Sequence, residues 1–206
     1  MLGIPLGLLT ANLTEWVFHK YVLHGIGKNP KSFWSFHWHD HHKASRQHAM
    51  LDDQYDAPLR GWNPQTKEAI ALVGGVALVT PLAPVAPFFY GTLVYSAVNY
   101  YRVHKKSHLD EEWAKENLPW HWDHHMAPNQ DANWCVTKPW FDDILGTREV
   151  YLDTEDEIAS RPRRQKVTDR YREKLRQKQQ ERRERLAERK GLRRRVTDRL
   201  LRREAA

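Results

Sequence analysis

Ten of the twelve histidines in this 206-residue chain fall into four short groups: His19-X4-His24, His37-X3-His41-His42, His104-X3-His108 and His121-X2-His124-His125. Neutral imidazole is a ligand that suits iron, copper and zinc alike. A single pair at this spacing would be weak evidence. Crowded imidazoles repel one another once protonated, so ten in four groups gain little unless cations sit among them. Ten donors also exceed the coordination of one tetrahedral or octahedral ion, which implies two metals. A carboxylate-type two-metal bundle would show paired Glu-x-x-His motifs, and these are absent. Cys135 is the only cysteine, which excludes an internal disulfide and a Cys-rich zinc module.

Helical geometry decides which imidazoles can share an ion. His104 and His108 stand one turn apart, and His121, His124 and His125 share one face. His19 and His24 lie about 140° apart on an ideal helix, so both reach one ion only if the helix ends between them. Gly25 makes such an ending plausible. In the second group His37 and His41 are one turn apart with His42 beside them. His39 points about 200° away from His37 and is a competing ligand. His48 falls outside the spacing and reads as an exposed residue. Glu15, Asp40 and Asp123 are candidates for orienting imidazole N–H groups, against the plainer reading of solvated carboxylates. Asp142 and Asp143 read as structural caps.

The elements that must carry these groups alternate between apolar and polar. Residues 1–24 read as one helix ended by Gly25 and Gly27, and 33–48 as a second, aromatic one. Residues 52–66 read as a polar loop. From Ala69 to Tyr101 there is no charged residue. Pro81, Pro84 and Pro87 place a turn at 81–87, so the stretch becomes a helical hairpin with arms of roughly 12–16 residues, short for a bilayer span of about 20. A buried hairpin of a soluble protein is the alternative. Tyr90, Tyr95, Tyr100 and Tyr101 suit a membrane interface. Trp34, Trp38, Trp120, Trp122, Trp134 and Trp140 read as interfacial anchors before walls of a substrate channel. Residues 110–126 form a helix with acidic residues at its start, and 127–152 a looped segment.

Charge is split along the chain. Residues 161–206 hold 20 Lys/Arg against 7 Asp/Glu, whereas 1–160 hold 13 against 19. The fold class expected is therefore all-α: an integral-membrane helical hairpin bundle with a cytosolic histidine-box cap. The histidine-bearing domain at 1–155 precedes a basic tail at 156–206, helical or disordered. The boxes and the tail belong on the cytoplasmic side, and no signal-peptide cleavage pattern is visible. The tail reads first as a solvated, positive-inside extension, and second as a binder of anionic lipid, because Leu192, Val196 and Leu200 make an apolar stripe along it. Docking an acidic electron carrier is a further reading. Few aromatics interleave the basic residues, so nucleic acid is not expected.

The order HX4H, HX3HH, HX3H, HX2HH resembles the fatty acid hydroxylase and sterol desaturase superfamily. The stretch His124-His125-Met-Ala-Pro-Asn-Gln, then Asn133-Trp-Cys-Val-Thr-Lys-Pro-Trp-Phe-Asp142 and Leu145-Gly146-Thr147, resembles that family's closing segment. The likeness covers about residues 15–150. It departs from the family at His39 and in showing one apolar arm before the first box where the family usually has a further one, which fits a compact member or a homo-oligomer.

The resemblance implies two irons per chain, with zinc as a substitute, held by His19, His24, His37, His41, His42, His104, His108, His121, His124 and His125. No catalytic residue beyond these is implied. It implies O2-dependent hydroxylation of a lipid-like substrate among membrane lipids, with electrons from an external donor of the cytochrome b5 or ferredoxin type. No flavin or nicotinamide fingerprint and no fused haem domain is visible. Desaturation is the alternative outcome. Carotenoid hydroxylation is another, because Glu15–Gly25 is similar to that group's first box. A metal-binding membrane interaction protein is the non-enzymatic alternative.

Overall fold

A run of uncharged, mostly apolar residues opens the chain, and Gly3–Val17 forms helix α1. The helix does not stop there. It widens into a π-helical turn over Phe18–Leu23 and closes with the His24 amide donating to the His19 carbonyl at 2.9 Å. A second π-helical segment, Phe36–His42, runs into α2, Lys43–Gln47. The computed structural model describes the backbone of residues 2–204, and the side chains of these except 182 and 189–204.

Asn63 and Pro64 start α3, Pro64–Val79. The Asn63 side chain accepts from the Thr66 amide at 2.8 Å, and proline at the first helical position has no N–H to leave unpaired. A 3-10 turn at Thr80–Leu82 reverses the chain, and Pro87 opens α4, Pro87–Leu109. This is the hairpin expected from the proline spacing. α1 packs along α4, with Gly7 at the contact. A Cβ on Gly7 would stand 2.7 Å from the Thr92 Cβ, so only glycine permits this approach. Asp110 caps α5, Glu111–Asn117, by accepting from the Trp113 amide at 3.1 Å. Leu118-Pro119 break the expected 110–126 helix in two, and α6 follows at Pro119–Met126. A looped segment then carries the short α7, Trp140–Ile144, and ends at α8, Glu155–Glu204.

Every element is helical among the described residues, so the all-α expectation holds. The expectation of membrane-spanning helices does not follow with it: no described helix is long and apolar enough to cross a membrane. α3 has 16 residues, about 24 Å at 1.5 Å per residue against a hydrocarbon core of about 30 Å. α4 is longer, but Arg102, Lys105 and Lys106 occupy its last turns. Leu2, Leu6, Val73, Leu78, Val85 and Phe88 all lie exposed on the uncharged segments.

Compactness divides the chain into residues 1–165 and 166–206. The second unit is the later part of α8, a basic helix with charged and amide side chains along it. Exposed i,i+3 and i,i+4 pairs such as Arg176 with Glu173 and Gln180 with Glu184 support its polar face. Leu192, Val196 and Leu200 lie outside the described side chains.

The apolar core of the first unit is small. One cluster joins Trp16, Trp134 and Cys135, and another joins Met50, Ala114 and Trp122. The space between helices is instead filled by imidazoles, each of the ten box histidines being no more than 3% exposed.

Candidate metal centre

Two helix pitches build the centre. In the first box no helix end separates His19 from His24. The π turn, closing i→i+5, brings both rings to one side, with centroids 5.0 Å apart. Gly25 follows because the chain must leave this wide turn tightly: a Cβ there would stand 2.2 Å from the Tyr21 carbonyl oxygen. The second box repeats the device. His37 pairs not with His41 but with His42, five residues on, with their Nε2 atoms 3.2 Å apart. The last two boxes lie on α4 and α6, where i,i+4 spacing brings His104 to His108 and His121 to His125, with centroids 4.8 and 4.7 Å apart.

The rings sort into two groups. His19, His24, His37, His42 and His124 offer nitrogens within 4.8 Å of one another, and so do His41, His104, His108 and His125. Each adjacent pair of histidines is divided between them: His42 and His124 face the first group, His41 and His125 the second. Neighbouring residues on a helix point about 100° apart, so one doublet serves two positions side by side. His121 lies against the second group, with its Nε2 3.1 Å from that of His108.

Most outer nitrogens face protein acceptors, whereas those of His121 and His125 have no hydrogen-bond partner among the described residues. His19 Nδ1 and His124 Nδ1 each stand 2.6 Å from a backbone carbonyl, of Trp134 and Ala132. His42 Nδ1 meets Gln130 Oε1 at 3.0 Å, and His24 Nδ1 meets Asp131 Oδ1 at 3.4 Å. Around the second group His108 Nδ1 faces the Met50 carbonyl at 2.9 Å, His41 Nδ1 faces Asp52 at 3.2 Å, and His104 Nδ1 lies 2.8 Å from Glu68 Oε2. The last contact is short but lies off the ring N–H direction. An acceptor at Nδ1 places the ring proton there and leaves the Nε2 lone pair pointing inward.

Burial and neighbouring imidazoles hold the pKa of His19, His24, His37, His41, His42, His108, His121, His124 and His125 below the ordinary histidine value, that of His124 at about 4. These rings are neutral at pH 7. His42 Nε2 then stands 3.0 Å from His24 Nε2 and 3.1 Å from His124 Nε2, three inward lone pairs with no proton to share. Such contacts repel unless a Lewis-acidic cation lies among them. The residues present therefore fit a metal ion at the first position. The unpartnered inner nitrogens of His41, His104 and His125 offer the same donor set at the second.

The profile of the fatty acid hydroxylase family matches residues 4–147, more than half of the chain. The chain belongs to that family. The assignment places it in the sterol desaturase and fatty acid hydroxylase superfamily, whose members are typically hydroxylases or desaturases, and points to a lipid-modifying oxygenase. No curated protein and no solved structure matches the chain significantly.

Within this hydroxylase-family centre several sequence-based assignments change. His39 is exposed, its Nε2 3.0 Å from the Lys28 carbonyl, and it takes no part in either group. His48 is half-buried and likewise lies outside both. Asp40 is exposed. Glu15 does not orient an imidazole: it accepts from the Val136 and Thr137 amides and the Thr137 hydroxyl, pinning the 134–139 segment to α1. Asp123 pairs with Arg148 at 2.7 Å and accepts from the Leu152 amide. Asp142 is structural but caps no helix end: from within α7 it accepts from the Trp134 and Cys135 amides and from Thr147 Oγ1.

Nor are the aromatic residues uniformly interfacial. Trp122 and Trp134 are buried. Trp134 packs edge-on to His24, and Trp38 stacks on His42 at 5.5 Å. Tyr100 lies beside His104, and the Tyr101 hydroxyl pairs with the Gln65 amide. The acceptors Asp52, Glu68 and Gln130 went unread. A signal existed for Glu68. It is the last charge before the uncharged stretch, and the hairpin brings it opposite His104, which stands just beyond the other end.

Proposed function

We propose that this chain is an O2-dependent di-iron oxygenase that hydroxylates a lipid-like substrate, with the ten box histidines as its metal ligands. The observation that carries the reading is the triple lone-pair contact of His24, His42 and His124, which only a cation makes favourable. His19 and His37 complete the first position. His41, His104, His108 and His125, with His121 beside them, form the second. Family use of iron supports that metal, with zinc as a substitute in preparations short of iron. When bound, a pair of irons supplies the two-electron reduction of O2 that attack on an unactivated C–H bond requires.

The chain's own residues then have three tasks. Carbonyl, amide and carboxylate acceptors keep the Nδ1 protons of His19, His24, His41, His42, His108 and His124 outward, so that these rings do not turn away. Trp38 and Trp134 cover the first position and exclude water from it. Burial keeps the nine rings with depressed pKa neutral, so protons do not compete with the metal there at pH 7.

The reading extends to the surroundings. Exposed apolar side chains on α1 and on the α3–α4 hairpin support a seat among membrane lipids, the source of the substrate. The basic tail supports a cytoplasmic placement of the polar side by the positive-inside rule. Electrons come from an external carrier of the cytochrome b5 or ferredoxin type.

The experiment is lipid and isoprenoid profiling of a host expressing the chain, with His125→Ala as control. A hydroxylated product that needs His125 supports the reading, whereas a new double bond moves the assignment to desaturation. Protein that accumulates with iron bound yet yields no oxidised lipid would remove it.

A further inference from the structure

The two metal positions are not surrounded alike. Around the first, two of the four outer partners are backbone carbonyls and a third is the neutral Gln130 amide. Its one carboxylate, Asp131, is 53% exposed and ion-paired to Lys28 at 2.9 Å, so solvent and a fixed cation both weaken its field. Around the second stand two carboxylates with nearly buried side chains. Asp52 contacts His41 Nδ1, and its other oxygen accepts from the Gln54 amide. Glu68 Oε2 receives the Tyr55 hydroxyl at 2.6 Å and lies 2.8 Å from His104 Nδ1. Tyr55 is itself 1% exposed and its ring stacks on His108. Glu68 Oε1 is buried without a hydrogen-bond partner.

A carboxylate hydrogen-bonded behind an imidazole, as Asp52 is behind His41, fixes the ring and makes its inner nitrogen a better donor, whereas Glu68, off the N–H direction of His104, acts through its charge. Loss of such a partner typically costs about 10–100-fold in metal affinity. Two buried carboxylates also place net negative charge beside the second position, where low local dielectric lets it act at greater strength than a solvated charge. The first position has more imidazoles but almost no uncompensated charge behind them.

We propose that Asp52 and the Tyr55–Glu68 pair are positioning residues that make the second position fill first, so that the two metals load in order. The inference rests on the two-metal reading above and adds to it an order and the residues that set it. Glu68 reaches His104 only because α3 and α4 lie side by side, so the hairpin's polar mouth doubles as part of the metal centre.

The test is titration of metal-free full-length protein with Co(II), followed by absorption and calorimetry, in wild type and in Asp52→Asn, Glu68→Gln and Asp131→Asn. Wild type is expected to show a tight and a weaker step of about one ion each. Asp52→Asn should weaken the tight step by roughly 10–100-fold, Glu68→Gln should weaken it through the lost negative charge, and both should leave the weaker step in place. Asp131→Asn should leave the tight step unchanged. Anomalous diffraction from crystals given one equivalent of Co(II) reads the same order without a variant. Density among His41, His104, His108 and His125 is expected, and density among His24, His42 and His124 would overturn the proposal. Two ions bound in one indistinguishable step would also overturn it while sparing the two-metal reading. Failure to bind metal at all would remove that reading itself.

Discussion

The two halves of the centre use the same residue on two different helices. His19–His24 and His37–His42 sit on π turns with partners five apart, whereas His104–His108 and His121–His125 sit on α-helices with partners four apart. The α-helical boxes need only ordinary backbone. The π-helical ones need a rarer geometry with poorer intrinsic hydrogen bonding, and its persistence at both boxes indicates that ligand convergence sets the backbone there. A wide turn in a small core is held by what it surrounds.

Metal removal should therefore have the largest effect. Most of the bulky, fully buried side chains of the first unit are imidazoles, so chelation leaves repelling lone pairs where another protein would have apolar packing. At about a hundredfold excess over Kd each bound ion adds roughly 2.7 kcal/mol to stability. Chemical denaturation with and without chelator should show a loss of that order per ion. Hydrogen exchange should locate the first loosening at residues 18–23 and 36–42; protection lost first at 104–108 would reverse the comparison.

Inserting an alanine after Lys20 probes the same contrast at one box. It makes the spacing i,i+6, which neither a π turn nor an α turn closes, and swings His24 by about 100° relative to the preceding residues. One metal per chain should remain, held by the second group, and elemental analysis reads this directly. Retention of both metals would show that the wide turn is dispensable.

Two glycines give a smaller and opposed pair of effects. Gly25→Ala forces a methyl against the Tyr21 carbonyl oxygen and should destabilise the protein by roughly 1–3 kcal/mol. Gly74 lies within α3, and a methyl there would meet no neighbouring atom within 4 Å, so Gly74→Ala should stabilise by about 0.5–1 kcal/mol. Thermal unfolding of the two variants compares them.

Acid supplies the mildest test. A histidine whose folded pKa is depressed binds fewer protons folded than unfolded, so stability falls as pH drops from about 6.5 toward the folded value, about 4 for His124. Glu15, raised to about 7, Asp52, raised to about 6, and Asp123, raised by burial, act in the opposite direction. Nine depressed imidazoles outnumber these three carboxyls. Metal-free protein should therefore lose stability between pH 6.5 and 4, and a rise would mean the rings are not buried together.

The four boxes, the hairpin turn at 81–87 and the family were legible because each rests on local spacing or on proline. The π turns were not, since nothing between His19 and His24 announces an i→i+5 bond, and the pairing of His37 with His42 depends on rings contributed from elsewhere. Asp52 and Gln130 lie far in sequence from any ring they hold except through the fold. Trp38 and Trp134 read as interfacial from composition, but packing against imidazoles decided their place. The apolar stretches were legible as apolar. Whether they reach across a bilayer depended on helix lengths, which proline and the charges at 102–106 cut short.

The most direct measurement counts metals by native mass spectrometry on protein purified under reducing conditions, in wild type, His42→Ala and His39→Ala. Two ions per chain in wild type and in His39→Ala, falling to one in His42→Ala, is the result predicted from the two groups of converging rings. One ion or none in wild type, or two retained without His42, would contradict it.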